Sequence, residues 1–214
     1  SELAQKFIAP ISSDEFLSLA NVNKKTLVFA MSQSGETFDT LSALKFSQSK
    51  GAKTAAVVNV MGSSIARMVD KVILQGSGPE ICVISTKAAL SQMVVLTLMA
   101  MKLGLKKKVI SNKVYQENLK SLKELPAIIQ GILNERSGFI HRIANKYCKN
   151  KNWLYLGRGI YYPIALEAAL KMKEVAYVHA EGMPGGFLKH GTLAMIDDEI
   201  SSIVFVPPKE KKDL

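Results

Sequence analysis

The chain has 214 residues, 48% hydrophobic and 21% charged, which suits a folded protein of one large or two small domains. This composition excludes disordered and collagen-like classes. With 28 Lys and Arg against 18 Asp and Glu, the formal net charge is +10, so nucleic acid, anionic membranes and phosphorylated small molecules are candidate partners. Cys82 and Cys148 form neither a disulfide framework nor a CxxC half-site.

The basic residues are not accompanied by the sequence features that are typical of nucleic-acid binding. They gather between Lys106 and Lys151 and again at Lys209, Lys211 and Lys212. No aromatic residues alternate with them and no helix-turn-helix or zinc pattern is present, so we interpret them as solvated side chains and expect no nucleic-acid partner. The longest apolar run, Met93 to Met101, is too short to cross a bilayer, and the chain opens without a leader pattern. We therefore expect a cytoplasmic protein with no membrane association.

In the first part of the chain, strands alternate with helices. The predicted strands are residues 26–31, 54–60 and 72–74, and the predicted helices are 38–51, 63–69 and 85–104. Short apolar runs of this kind are typical of buried parallel strands. The alternation indicates right-handed crossovers and a parallel sheet.

The remaining residues predict a helical connector and a second unit. Residues 111–150 are helical in pattern, with breaks expected near Pro126 and Gly138. The second unit has predicted strands at 153–156 and 203–206, a helix from Pro163 to about 178, and a frayed end from Pro207. We predict an α/β protein of two units with parallel sheets flanked by helices: 1–110, a connector 111–150, and 151–214. Both sheets look thin, so we expect both units to be truncated.

The segment Ser32-Gln33-Ser34-Gly35-Glu36-Thr37 lies between a predicted strand and a predicted helix. It offers three hydroxyls, an amide and a glycine at the carboxyl end of a parallel strand, where such sheets bind ligands. Converging hydroxyl and N–H donors at a helix N-terminus suit a phosphate. The alternative is a helix cap with a capping box. Neither the Walker A nor the dinucleotide pattern is present, which favours a small phosphate ester over a nucleotide.

Glu167, Lys171 and Glu174 are spaced to share one stripe of a helix. The rest of that helix is so apolar that we expect it to be mostly buried, and buried charges are costly unless they are paired or used. A lysine between two carboxylates suits proton transfer to and from carbon. The alternative is an exposed ladder of ion pairs.

Of the three histidines, His190 is the candidate for chemistry, because it lies in a glycine-rich loop with room for a ligand and an imidazole is suited to proton transfer near neutral pH. We expect His179 on the last turn of the preceding helix, interacting with the helix dipole, and His141 on the surface. No two histidines have metal-ligand spacing, so no metal site is predicted.

Five segments together resemble one known family. They are SQSGETFDTLSALKFSQSKGA, VVNVMGSSIAR, GPEICVISTKA, LGRGIYYPIALEAALKMKEVAYVHAEG and LKHGTLAMID. They resemble, in order and over about residues 26 to 198, the isomerase part of the glutamine–fructose-6-phosphate aminotransferases (glucosamine-6-phosphate synthases), which is built from two sugar-isomerase (SIS) domains. The resemblance implies conversion of fructose 6-phosphate to glucosamine 6-phosphate by a homodimer without a cofactor.

The resemblance also implies roles for individual residues. Glu174 matches the carboxylate that carries the proton between C1 and C2, Lys171 its relay neighbour, and Glu167 a further carboxylate of the same helix. His190 matches the ring-opening histidine, which reaches in from the other subunit. Six further residues match those that contact the sugar phosphate in the family. They are Ser32, Gln33, Ser34 and Thr37, which match its phosphate-binding loop, and Val83 and Ser85, which match residues that line the sugar. An anchored phosphate with a carboxylate at the carbonyl end is the arrangement that ketose–aldose conversion requires.

The chain departs from the family pattern in several places. We find no glutaminase domain to supply ammonia, no first strand with its serine-bearing loop, and no C-terminal tail with a Schiff-base lysine. Phe187 stands where the family has Glu. Two alternatives therefore stay open: a non-catalytic SIS module that senses hexose phosphates, and a related amino-sugar-phosphate deaminase or deglycase.

Overall fold

The computed structural model describes residues 3–207, which divide into two compact units between Ala127 and Ile128. The second cluster of lysines, from Lys209 to Lys212, and nearly all of the expected frayed end lie outside the described residues.

The first unit is a parallel three-stranded sheet with helices. Its elements are α1 (Phe16–Leu19), β1 (Leu27–Ser32), α2 (Phe38–Ser49), β2 (Lys53–Val58), α3 (Ser64–Met68), β3 (Lys71–Leu74) and α4 (Thr86–Lys106). The strand order is β1-β2-β3, with Leu27 opposite Lys53 and Ala55 opposite Lys71. The three strands, the two crossover helices and the long apolar helix are confirmed, with ends that differ by a few residues.

Core residues lie on both faces of β2, the central strand: Val57 is 0% exposed on one face, and a cluster packs on the other. Leu44 of α2, Ile65 of α3, and Ala56 and Val58 of β2 are all 0% exposed and pack together. A central strand has no solvated face, which is why its sequence is a continuous apolar run with no alternation. Because the three strands are parallel, their carboxyl ends lie along one edge of the sheet.

Helix α4 is the long apolar helix that the sequence predicts. It is 21 residues long and is, by length and composition, able to cross a membrane. The prediction that the longest apolar run is too short to cross a bilayer rested on residues Met93 to Met101. The helix continues beyond both ends of that run. Core helices of water-soluble proteins can have the same length and composition. Only 17% of its most apolar stretch is buried.

Helix α5 (Asn112–Tyr147) runs without interruption for 36 residues, so the expected breaks at Pro126 and Gly138 are wrong. An internal proline costs about 3 kcal/mol and a glycine about 1 kcal/mol. In a long helix the cooperative hydrogen bonds on either side outweigh that cost. None of its described residues is buried.

The second unit is another parallel three-stranded sheet. Its elements are β4 (Asn152–Gly157), α6 (Tyr161–Ala176), β5 (His179–Pro184), two short 3₁₀ turns (Phe187–Lys189 and Thr192–Met195) and β6 (Ile200–Val204). The strand order is β5-β4-β6. Strand β5 was not predicted, and His179 opens it, so the expected place of His179 on a helix is wrong. The sequence HAEGMP has little strand propensity; pairing with β4 makes it a strand.

Helix α6 packs on this sheet through small residues. Ala165 and Ala169 are buried against Trp153, Tyr155 and Ala180. The approach is so close that a Cβ added to Gly182 would lie 2.7 Å from the Cα of Leu166. The expectation that α6 is mostly buried is wrong, since only one face contacts the sheet. Its outer apolar side chains are exposed by 41% to 57%: Ile164, Leu166, Leu170 and Val175.

Candidate functional site

The predicted phosphate loop leaves the carboxyl end of β1 and enters α2, and its own hydroxyls give it shape. Ser32 is buried, and its Oγ accepts a hydrogen bond from the N–H of Gly35 (3.0 Å) and pairs with Oγ1 of Thr37 (2.9 Å). Oγ of Ser34 accepts from the N–H of Glu36 at 3.2 Å. The loop therefore brings Ser32, Gln33, Ser34 and Thr37 together at one sheet edge, as predicted.

The N-terminus of α2 has no side-chain cap. Thr37 occupies the N-cap position, but its hydroxyl bonds to Ser32 and makes no cap hydrogen bond. Among residues 3–207, no other side chain accepts a hydrogen bond from the first turn of α2. The capping-box alternative is therefore wrong. A helix start with free N–H groups and adjacent hydroxyls is what an anion needs.

The loop is fastened to the turn before α3. Oε1 of Glu36 accepts a hydrogen bond from the N–H of Ser64 (2.7 Å), and the N–H of Ile65 donates to the carbonyl of Gly35 (2.9 Å). Gly35 has a φ of +68° and packs directly on Ser63. Hydrogen bonds from Ser64, together with the charge of Arg67, hold the pKa of Glu36 below its usual value.

Acid is expected to loosen this attachment. Because the folded-state pKa of Glu36 is depressed, its stabilisation is present above an ordinary glutamate pKa of 4.5 and is lost as pH falls through the folded value. In Glu36→Gln, the fall in Tm between about pH 5 and pH 3 should be smaller than in the unmodified chain. Glu124→Gln, an exposed change on α5, is the control. Equal acid slopes in all three proteins would contradict the prediction.

Asn59 connects the phosphate loop to the loop after β3. Its backbone N–H donates to the carbonyl of Gln33 (3.1 Å), and its Nδ2 donates to the carbonyl of Gly78 (2.7 Å). Its Oδ1 accepts from the N–H of Ser77 at 3.1 Å. Sequence reasoning missed this residue because it assigned Asn59 to the strand. The signal was available, since a polar side chain directly follows the apolar run of β2.

The residues predicted to line the sugar follow β3. Val83 is 85% exposed, and Ser85 is partly buried, with a φ of +50°, immediately before α4. The carboxyl ends of β1 and β3 are two strand spacings apart, roughly 10 Å, across β2. Both loops of the first unit thus rise from the same edge of one sheet.

The charged stripe on α6 forms the contacts that its spacing predicted. Nζ of Lys171 lies 2.5 Å from Oε2 of Glu174 and 3.5 Å from Oε1 of Glu167. The side chains of Lys171 and Glu174 are 25% and 27% exposed, against 50% for Glu167. Burial alone would lower the pKa of Lys171, but the hydrogen bond that it donates to Glu174 and the negative charges of Glu167 and Glu174 outweigh burial and raise that pKa. The lysine is therefore a stable cation beside a partly buried carboxylate.

His190 and Glu174 lie at opposite ends of β5. Glu174 is five residues before His179, where the strand begins, whereas His190 follows Pro184, where it ends. His190 is exposed, and its ring lies 5.9 Å from that of Phe187. Its side chain makes no hydrogen bond to another residue within 3–207. The second unit alone does not bring this histidine to the carboxylates.

The described part of the chain contains no cluster of three His, Cys, Asp or Glu residues that could hold a metal ion. His141 is on the surface of α5, as expected, with Nδ1 beside Nδ2 of Asn145 at 3.2 Å.

Comparison with known proteins identifies the family of the chain. The model of the SIS domain family matches residues 2–102 and 146–214. The chain belongs to the SIS domain family. The glutamine–fructose-6-phosphate aminotransferase of Methanococcus maripaludis is 43% identical to this SIS chain over 211 residues, 97% of the chain and 34% of the relative. That of Fusobacterium nucleatum is 45% identical over 176 residues, 82% of the chain and 29% of the relative. The SIS chain thus spans about a third of the length of these relatives.

Solved structures agree with this fold. The C-terminal domain of glucosamine-fructose-6-phosphate aminotransferase from Francisella tularensis superimposes with a TM-score of 0.84 at 36% identity, over 92% of the SIS chain and 56% of that chain. A glucosamine-6-phosphate deaminase from Thermotoga maritima gives a TM-score of 0.66 at 17% identity, over 94% of the SIS chain and 59% of its own, which shows the fold alone.

Proposed function

We propose that this SIS chain is the isomerase portion of a glucosamine-6-phosphate-forming aminotransferase. It binds fructose 6-phosphate and moves a proton between C1 and C2, with ammonia supplied by a glutaminase domain. The relatives at 43% and 45% identity carry that enzyme name. The observation that carries the proposal is the uncapped start of α2, surrounded by the hydroxyls of Ser32, Ser34 and Thr37.

A comparison of two helix starts supports placing the phosphate at α2. Both α2 and α4 begin at the carboxyl edge of the first sheet. At α4 the first turn already receives a carboxylate, because Oε2 of Glu80 accepts from the N–H of Ala88. That carboxylate repels a second negative charge at α4, whereas no described side chain accepts a hydrogen bond from the first turn of α2, where Asp39 is the one acidic residue. The phosphate therefore binds to the loop that contains Ser34 and Thr37, and Gln33 contributes its amide.

The stripe on α6 supplies the chemistry. Proton transfer between adjacent carbons needs one carboxylate that can take up and return a proton. Glu174 has this role, and the cation of Lys171, 2.5 Å from its Oε2, holds the carboxylate in place. Glu167 holds Lys171 from the other side at 3.5 Å. Val83 and Ser85 contact the sugar, and neither a metal nor an organic cofactor takes part.

His190 opens the sugar ring from a second copy of the chain. This part of the proposal is supported by topology, since His190 and Glu174 lie at opposite ends of β5 within one chain. The working form is then a homodimer, acting in the cytoplasm. Phe187, whose ring centroid lies 5.9 Å from that of His190, is the aromatic neighbour of this imidazole.

Ligand-induced stabilisation tests the proposal. Fructose 6-phosphate or glucosamine 6-phosphate should raise Tm, because a ligand that binds only the folded state stabilises it. The double variant Ser34→Ala with Thr37→Ala should lose this rise, since two phosphate contacts are removed. Ser49→Ala, a hydroxyl at the other end of α2 that bonds to the carbonyl of Phe46, is the matched control. If no hexose phosphate raises Tm, the proposal is contradicted.

A further inference from the structure

The start of α4 has an unusual cap. Ser85 occupies the N-cap position, where a serine hydroxyl normally accepts a hydrogen bond from the second or third N–H of the helix. Its hydroxyl makes no such bond, and its backbone is in the left-handed region, with a φ of +50°, where a capping residue is usually extended. Helix α3 shows the ordinary arrangement: Ser63 has a φ of −60°, and its Oγ accepts from the N–H of Ala66, the third residue of α3.

Glu80 supplies the missing cap from the preceding loop. Its Oε2 accepts a hydrogen bond from the N–H of Ala88 at 3.1 Å. Ala88 is the third residue of α4 and is 1% exposed, so its N–H needs an acceptor from the protein. Nζ of Lys87 also bonds to the carbonyl of Pro79, which fastens the same loop to the same turn. The carboxylate therefore does at α4 what the serine hydroxyl does at α3.

This exchange of partners leaves the hydroxyl of Ser85 free. In the described residues the Ser85 hydroxyl has no hydrogen-bond partner, although the residue is partly buried at the ligand-binding edge of the sheet. A free hydroxyl at this edge can donate to or accept from a sugar hydroxyl. If Glu80 were absent, we expect Ser85 to accept from the N–H of Ala88, because it occupies the N-cap position and Ala88 is the third residue of the helix.

We propose that Glu80 is a positioning residue for the sugar: it caps α4 in place of Ser85 and so keeps the Ser85 hydroxyl available to the hexose. The inference rests on the proposed function for the identity of the ligand, but the exchange of caps is a property of the unliganded chain. The carboxylate does not touch the sugar; it acts through Ser85.

The exchange can be tested without ligand by a double-mutant cycle in urea. Ser85→Ala alone should barely lower the free energy of unfolding, because its hydroxyl caps nothing. In the Glu80→Ala background, Ser85 is expected to turn to the N–H of Ala88, so adding Ser85→Ala should then lower the unfolding free energy further. Glu80→Gln retains an acceptor oxygen and should restore the original behaviour. Strictly additive single changes would overturn the inference.

Binding of fructose 6-phosphate gives the second readout. Glu80→Ala and Ser85→Ala should each weaken binding by about 3- to 10-fold, the range for one lost hydrogen bond. The double variant should bind no more weakly than Ser85→Ala, and Glu80→Gln should bind like the unmodified chain. If Ser85→Ala weakens binding and Glu80→Ala does not, Glu80 has no positioning role. If the unmodified chain binds no hexose phosphate, the proposed function fails, while the urea cycle still decides whether Glu80 replaces Ser85 as the cap.

Discussion

Replacing Glu174 by Gln is expected to slow proton exchange at C1 and C2 of fructose 6-phosphate by about 10²- to 10⁴-fold, the usual contribution of a positioned acid–base group. Gln is similar in size and can still accept a hydrogen bond from Lys171, so the fold and sugar-phosphate binding should persist. The measurement is incorporation of solvent deuterium into the hexose 6-phosphate, in this chain and in a longer protein that contains it.

The matched control for this change is Lys173→Gln, an exposed position on the same turn of α6. It should leave deuterium incorporation unchanged. If Glu174→Gln binds ligand normally and exchanges deuterium as fast as the unmodified chain, Glu174 does not carry the proton, and the sensor function becomes the better explanation. Loss of both binding and exchange would show instead that the substitution disturbs the fold.

Gly35→Ala is expected to abolish binding of hexose phosphates and to lower stability. A Cβ at this position would lie 2.0 Å from Oγ and 2.5 Å from Cβ of Ser63, so the phosphate loop must move away from the turn before α3. The left-handed φ of +68° adds about 1–2 kcal/mol of backbone strain, and the overlap adds roughly 1–3 kcal/mol. Thermal unfolding and fructose 6-phosphate titration measure the two effects.

Gly62→Ala separates strain from overlap. Gly62 has a similar φ of +75°, but a Cβ there would meet nothing within 4 Å. It should therefore lose stability through strain alone and keep ligand binding. Adding Ser63→Gly to Gly35→Ala removes the overlapping atoms, and replacing a serine cap by glycine costs only a few tenths of a kcal/mol. The pair should recover part of the binding; equal losses in Gly35→Ala and Gly62→Ala would show that the contact with Ser63 is unimportant.

Continuous apolar runs made most of the fold predictable. Strands β2 and β4 are such runs because they are buried along nearly their whole length, and β1 is an apolar run that is partly buried. Strand β5 lacks that signal, since its sequence is extended only by pairing with β4. The predicted break at Pro126 was wrong because a local rule cannot weigh the hydrogen bonds of a 36-residue helix.

In the candidate site, too, contacts between residues close in sequence were predictable, and contacts that depend on loop conformation were not. Lys171 and Glu174 are three positions apart on one helix, so their contact follows from helical geometry and was predicted. The Ser32 and Thr37 hydroxyls meet within one short loop. Asn59 bonds to a carbonyl 19 residues along the chain, and Glu80 to an N–H eight residues along. Loop conformation decides such partners, and no periodicity in the sequence encodes it.

The hydrogen bonds of Asn59 connect ligand binding at one loop to the conformation of another. Because one residue bonds to both Gln33 and Gly78, the two loops of the first unit cannot shift independently. Free energy released where a ligand's ester group docks is then available to hold the distant loop in its reactive geometry. Under the proposed function, fructose without its ester is expected to turn over slowly even at saturating concentration, because its rate of turnover and not only its occupancy is reduced.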